Sequence, residues 1–261
     1  MLPVLDARVI ESIKLPYLKQ TIKIKPYKSV QEKALLNCLT DRSDKQKWAD
    51  NMLNIIKENL VEGDIDLHNI KVIDFLYIAM KLRAVSKNDK FEYIYNCVGK
   101  IKDEPCKYVF KESVPLDELL KVKNSSNEQI SVKVNDLIAL TLEPPTVEYL
   151  KYLATIEGNE DNNPEKIETA TKDIFDILIA KIAYSTKEII ITENNKPKTY
   201  KDFNKQELID NILLNLTMDE LKNILEEMNK LISISFVIKR KCPECGEEYK
   251  EENTDFFTLL A

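Results

Sequence analysis

The chain has 261 residues, 44 % apolar and 31 % charged, with 38 Lys and Arg against 44 Asp and Glu for a net charge of −6. That apolar share supports a sizeable core in one large or two modest domains and excludes a disordered chain. The acidic balance argues against an electrostatic grip on nucleic acid, which draws on clustered Lys and Arg.

Taken in chain order, the first stretch through Pro26 mixes apolar and basic residues and reads as an extended arm with a short strand at residues 21–24. Ser29 followed by Glu32 has the spacing of a capping box, which opens a helix carrying Leu35, Leu36 and Leu39. A second helix over about residues 44–60 places Trp48, Met52, Ile55, Ile56 and Leu60 at helical spacing, with Trp48 as a core residue, and ends near Gly63. Residues 70–83 are apolar around most of the helix circumference, so this element is expected at the centre of the protein. Arg83 at its end is expected to face the C-terminal carbonyls.

The period then changes from 3.6 to 2. Residues 91–97 alternate, and a loop with Gly99 and Pro105 leads to a second run at 108–110. Further strands are predicted at 130–134 and 138–142, and Pro144-Pro145 closes the β-rich stretch. Helical periodicity returns at 146–155, an acidic loop spans 158–164, and a long helix uses Ile167, Ile174, Phe175, Ile177, Leu178 and Ile182. A strand at 188–192, a turn at 194–197, a helix at 205–214 and a second capping box at Thr217 and Glu220 opening a helix to about residue 231 complete the section. The predicted class is α+β: two helical sections, 1–90 with its N-terminal arm and 146–232, flank a small β-rich insert at 91–145. Residues 233–261 form a strand, a zinc-ribbon-like hairpin and an apolar tail. Phe256, Phe257, Leu259 and Leu260 in that tail are expected to dock on the protein's own core.

The hairpin carries Cys242-Pro243-Glu244-Cys245-Gly246 after the alternating run 234–238. Two thiolates two residues apart, followed by a Gly that lets amides turn toward sulfur, are half of a tetrahedral zinc site; the alternative is a metal-free hairpin turn. Cys97 and Cys106 each adjoin a predicted strand, and if the two hairpins lie side by side these four cysteines complete a structural zinc site. A zinc shared between two chains is the competing arrangement. The basic run Lys239-Arg240-Lys241 beside the knuckle would support a second reading, a zinc-ribbon nucleic-acid-binding or transcription-related protein.

A catalytic centre is not expected. The chain has a single histidine, His68, read as a residue leading into a helix. Four glycines, at 63, 99, 158 and 246, are too scattered for a phosphate-cradling loop. With one His, nucleophile–His relays and metallo-hydrolase clusters lack a partner, so no small-molecule substrate is expected. The N-terminal residues lack a signal-peptide pattern and no window approaches the ~18 apolar residues of a membrane helix, so a reducing cytoplasm, where thiols stay free, is the expected compartment.

Three segments carry a family resemblance: Ile24-Lys25-Pro26-Tyr27 followed by Glu32-Lys33; Asp74-Phe75-Leu76-Tyr77 continuing to Lys81-Leu82-Arg83-Ala84-Val85-Ser86; and the C-terminal strand, Cys-Pro-x-Cys-Gly knuckle and Asp255-Phe256-Phe257. In them the chain resembles the baseplate hub assembly proteins of contractile-tailed bacteriophages. The resemblance implies a non-enzymatic role, as a permanent component or a transient chaperone, with phage tail or baseplate hub proteins as partners. The implied location is the host cytoplasm or the virion tail.

Overall fold

The computed structural model describes residues 10–40, 45–157 and 166–253. The predicted loop 158–164 and the docking of the apolar tail lie outside the described residues. Every strand pair among the described residues is antiparallel.

The N-terminal arm is a hairpin, β1 (Glu11–Lys14) and β2 (Thr21–Ile24), with α1 (Ser29–Thr40), α2 (Lys45–Asn59) and β3 (Leu60–Glu62) after it. β3 pairs with β2, so the predicted second helix ends at Asn59 and its last turn is a strand. The first capping box is displaced by one residue. Lys28 accepts at its carbonyl from Glu32 N, and the Gln31 side chain takes the Lys28 amide at 2.7 Å. Glu32 is thereby released to pair with Lys87 at 2.9 Å.

α3 (Val72–Ser86) is the central element. Phe75, Ile78, Ala79, Met80 and Leu82 are each fully buried, as an all-round apolar helix requires. Its two buried polar residues are partnered. Asp74 accepts the Tyr17 and Leu18 amides at 2.8 and 2.9 Å, fixing the β1–β2 turn on the helix. Lys81 pairs with Asp117 at 2.6 Å. Trp48 is 1 % exposed and meets the Phe75 ring edge-on at 5.8 Å. Arg83 does not cap the helix, which runs on to Ser86. Its guanidinium lies 4.1 Å from the Phe91 ring centroid, a cation–π contact under partial burial that pulls its pKa down.

Next come β4 (Lys90–Asn96), the small β5 (Lys100–Ile101) and β6 (Glu104–Pro105), β7 (Val109–Pro115), the short α4 (Leu116–Leu119) and β8 (Leu120–Lys123). β4 and β7 form a hairpin whose Phe91 and Val114 enter the first core with Ile234 and Phe236. β9 (Ile130–Lys133) and β10 (Ile138–Leu142) join a different sheet. After α5 (Val147–Glu157) and α6 (Lys166–Ser185), β11 (Thr186–Glu193) and β12 (Lys196–Tyr200) complete it in the order β12-β11-β10-β9. The predicted turn at 194–197 is shorter than expected. Asn194 and Asn195 take it alone with φ of 49° and 60°, and Pro197 lies in β12, an edge strand where its missing donor does no harm.

The second core is this sheet packed by α6, α7 (Lys205–Asn211), a 3-10 turn at Leu213–Asn215 and α8 (Met218–Met228). Among the predicted apolar positions of α6, Ile182 is buried but Ile174 is 60 % exposed. The capping box of α8 is present as expected: Glu220 N donates to Thr217 Oγ1 at 3.3 Å and Thr217 N to Glu220 Oε2 at 2.7 Å. Thr217→Ala is expected to cost about 1 kcal/mol and Thr217→Ser much less, measured by urea denaturation. Equal losses in the two variants would contradict the cap. β13 (Ser233–Lys241) and β14 (Glu248–Asn253) then form a sheet ordered β14-β13-β8, which returns the chain to the first core.

A polar node ties the two cores. Glu143, just after β10, accepts from Lys71 at 2.6 Å, lies 3.4 Å from Lys187, and accepts from the Tyr17 hydroxyl at 3.4 Å. Burial would raise its carboxyl pKa, but the Lys71 and Lys187 ammoniums outweigh it and hold it below the ordinary value of 4.5. A folded pKa below the unfolded one means stabilisation that is complete above about 4.5 and drains away as pH falls through the folded value. Glu143→Gln is expected to cost roughly 2 kcal/mol near neutrality, chiefly by stranding the half-buried Lys71. Urea melts from about pH 3 to 7 should also show a shallower acid limb in the variant; an unchanged limb would refute the assignment.

Candidate metal centre

Two hairpins meet at one end of the molecule. In the first, Cys97 follows β4 and Cys106 precedes Tyr108 and β7. Cys97 N donates to the Tyr108 carbonyl at 2.9 Å, and Cys106 N to the Gly99 carbonyl at 2.8 Å. Between them β5 and β6 turn on Lys102 and Asp103, both left-handed with φ of 50° and 70°. In the second hairpin β13 and β14 are joined through the Cys242–Cys245 turn. Gly246, at φ 75°, closes it by donating to the Cys242 carbonyl at 3.0 Å, and Cys242 N donates to Glu247 at 2.8 Å.

The approach of the hairpins depends on Gly99. A Cβ there would sit 2.6 Å from Cys245 Sγ and 2.7 Å from Glu247 Cβ. Across this seam Cys97 Sγ lies 3.5 Å from Cys245 Sγ, and Cys106 Sγ lies 3.8 Å from Cys242 Sγ. All four sulfurs fall within 4.8 Å of one another, and all four cysteines are free thiols. Four thiolates ~2.3 Å from a central ion in a tetrahedron stand ~3.8 Å apart, so the observed spacing matches that arrangement in size. One chain supplies all four groups.

The electrostatics are those of a site short of positive charge. At Cys242 burial raises the thiol pKa, but the backbone amides of Cys245 and Glu244 point toward the sulfur and bring it down to about 7. At Cys97 the Gly99 amide lowers the value, yet burial and the neighbouring thiols drive it up to about 12. Cys106 is likewise raised, through burial and its neighbours, against the Tyr108 amide. One thiolate is readily formed at Cys242, and Cys97 and Cys106 are penalised for joining it until a cation offsets the repulsion.

The surroundings hold the two hairpins together. Tyr95 is stacked between Phe110 and Tyr249, with centroids 4.3 Å away on each side. Arg240 is ion-paired to Glu112 between β13 and β7. Cys106 and Cys242 are 6 % and 2 % exposed, while Cys97 and Cys245 are half-buried. These contacts form a third, small core separate from the two large ones.

The structure thus brings together all four cysteines singled out by sequence. Cys38 lies in α1. The basic run beside the knuckle loses its middle member to Glu112. His68 is exposed in a turn whose amide donates to Asp66 at 3.0 Å, before α3 begins. Sequence reasoning missed the role of Gly99, although Cys97-Val98-Gly99 places a glycine amide two residues after a sulfur, and that amide donates to Cys97 Sγ at 3.4 Å.

Among the described residues no helix is long and apolar enough to cross a membrane. Compared with known proteins, the chain matches the family described as T4 bacteriophage base plate protein over residues 7–258. No curated protein and no solved structure matches significantly. A match from before β1 to beyond β14 takes in both large cores and the cysteine tip, so the chain belongs to the T4 bacteriophage base plate protein family and is a phage baseplate protein.

Proposed function

We propose that the protein is a non-enzymatic component or assembly factor of the tail baseplate hub, working by protein–protein contact. In this reading Cys97, Cys106, Cys242 and Cys245 hold one structural zinc in a zinc-ribbon-like tip. The observation that carries the role is the family match over nearly the whole chain. The tip adds a surface suited to contact: Ile94, Val98, Ile101 and Val109 are 70 %, 75 %, 40 % and 40 % exposed around the cysteine turns. A clamp of four thiolates would keep that surface rigid without using either large core.

Synthesis in the host cytoplasm, where thiols stay reduced, supplies the ligands in the form the ion needs. Co-expression with neighbouring tail genes is expected to co-purify a tail or hub protein, and mass spectrometry of virions separates a permanent part from an assembly factor. Phage lacking the gene should make heads and free fibres but no hubs. Complete baseplates from such a mutant would end this reading.

A further inference from the structure

A second feature lies away from the cysteines, at the seam of the two large cores. A cavity of about 460 Å³ opens there. Ile73, Leu76, Ile232 and Ile234 wall it from the first core, and Met228 and Leu231 from the second. This is an apolar recess of the size that takes ligands.

Its charged lining is of one sign. Lys181 and Ser185 stand one turn apart on α6, whose Ile179, Ile182 and Ala183 are taken by the second core. Ser185 is 0 % exposed and its Oγ has no hydrogen-bond partner. Lys181 makes no ion pair or hydrogen bond with a described residue, and burial alone lowers its pKa. Tyr149 brings a third donor with no acceptor, and burial pushes its pKa up to about 12. Lys123, which is engaged elsewhere, and the neutral Asn229 and Ser233 also line the cavity, and among the described residues no Asp or Glu does.

A hydroxyl buried without an acceptor is costly to keep, and Lys181 lies half-buried beside it with no counter-charge among the described residues. Two other lysines drawn out of solvent have a carboxylate partner, Lys81 in Asp117 and Lys71 in Glu143, whereas Lys181 has none among the described residues. Lys181 and Ser185 in an apolar recess therefore fit a group that arrives from outside, carries a negative charge and brings apolar surface with it.

We propose that this seam cavity receives a carboxylate flanked by apolar side chains on a partner protein, an acidic side chain meeting Lys181, Ser185 and Tyr149 while its neighbours fill the walls. This rests on the reading of the protein as a baseplate assembly component and names the partner chemistry of that role.

The test uses the full chain and four capped peptide or lipid probes in calorimetric titration: Ac-Leu-Glu-Phe-Leu-NH2, its Gln counterpart, decanoate, and decanol. The Glu peptide is expected to bind at least about tenfold more tightly than the Gln peptide, as the loss of one charge-assisted contact requires. Lys181→Met should abolish that preference, and Lys181→Arg should retain it. Lys181→Met should also raise the urea midpoint, since it removes a half-buried charge with no partner among the described residues, which shows that lost binding is not lost folding. Equal binding of the two peptides, or an intact preference in Lys181→Met, would overturn the proposal; so would decanoate binding that the Glu peptide cannot displace. Co-purification separates the two readings. If wild type and Lys181→Met capture the same tail protein equally, the cavity proposal falls and the assembly role stands; if wild type captures none, the assembly role falls first.

Discussion

Purified under reducing conditions, the protein is expected to carry one zinc ion per chain, and Cys242→Ser is expected to release it and open the cysteine tip. Among the described residues the third core has only Cys106, Phe110 and Cys242 as buried members, far too little apolar surface to offset the entropy of ordering two hairpin ends. On the proposed zinc reading, coordination by four thiolates would add most of what holds the tip, and removing one ligand should cost about 3–5 kcal/mol locally. The loss is confined because β9–β12 and their helices form a separate core that shares none of the four cysteines. Elemental analysis gives the stoichiometry. Amide exchange should show fast exchange in the distal halves of β4, β7, β13 and in β14, with β9–β12 still protected. A variant that keeps the tip protected without metal would show that the Tyr95 stack and the Arg240–Glu112 pair suffice. Exchange rising equally in both cores would show that the tip is not an independent unit.

Phe75→Ala should be the most damaging substitution in the core, costing about 3–5 kcal/mol. Phe75 is 0 % exposed in the first turn of α3 and lies edge-on against Trp48. Truncation empties a site whose neighbours come from different elements, so no single side chain can collapse into the void. Against a total stability of roughly 5–15 kcal/mol, such a loss leaves a chain near its threshold. Leu214→Ala, at a leucine 51 % exposed, is the control and should stay within ~0.5 kcal/mol. Chemical denaturation of both variants decides the point, and a Phe75→Ala cost below about 1.5 kcal/mol would remove α3 from its central place.

The elements read correctly from the sequence are those whose signal is local. An apolar pattern around the whole circumference placed α3 at the centre, because a helix with no polar face has nowhere else to go. Thr217 and Glu220 fixed the start of α8 through bonds spanning three residues. The alternation at 91–97 marked β4, and Gly246 after a Cys-x-x-Cys pair marked the turn that holds two sulfurs.

What escaped was decided by partners distant in sequence or by backbone states with no compositional mark. β3 is a strand only because β2, some forty residues earlier, offers it a ladder. β9 and β10 read like a continuation of β4 and β7, yet β10 pairs with β11 and carries β9 on its other edge, and only the topology says so. Lys102 and Asp103 form a tight left-handed turn without the Asn-Gly signature of that geometry. Arg83 at the end of a helical pattern suggested a cap, and the nearness of Phe91 turned it into a ring contact.

The cysteines divide in the same way. Their identities and their positions beside strand ends are written in the chain, and so is the half-site chemistry of the knuckle. That Cys97 meets Cys245 and Cys106 meets Cys242 is not, because it depends on Gly99 letting two hairpins approach and on Tyr95 and Arg240 holding them there. Local sequence selects dihedral angles and faces within a few residues, whereas convergence of side chains 136 and 148 residues apart is set by how separate elements pack.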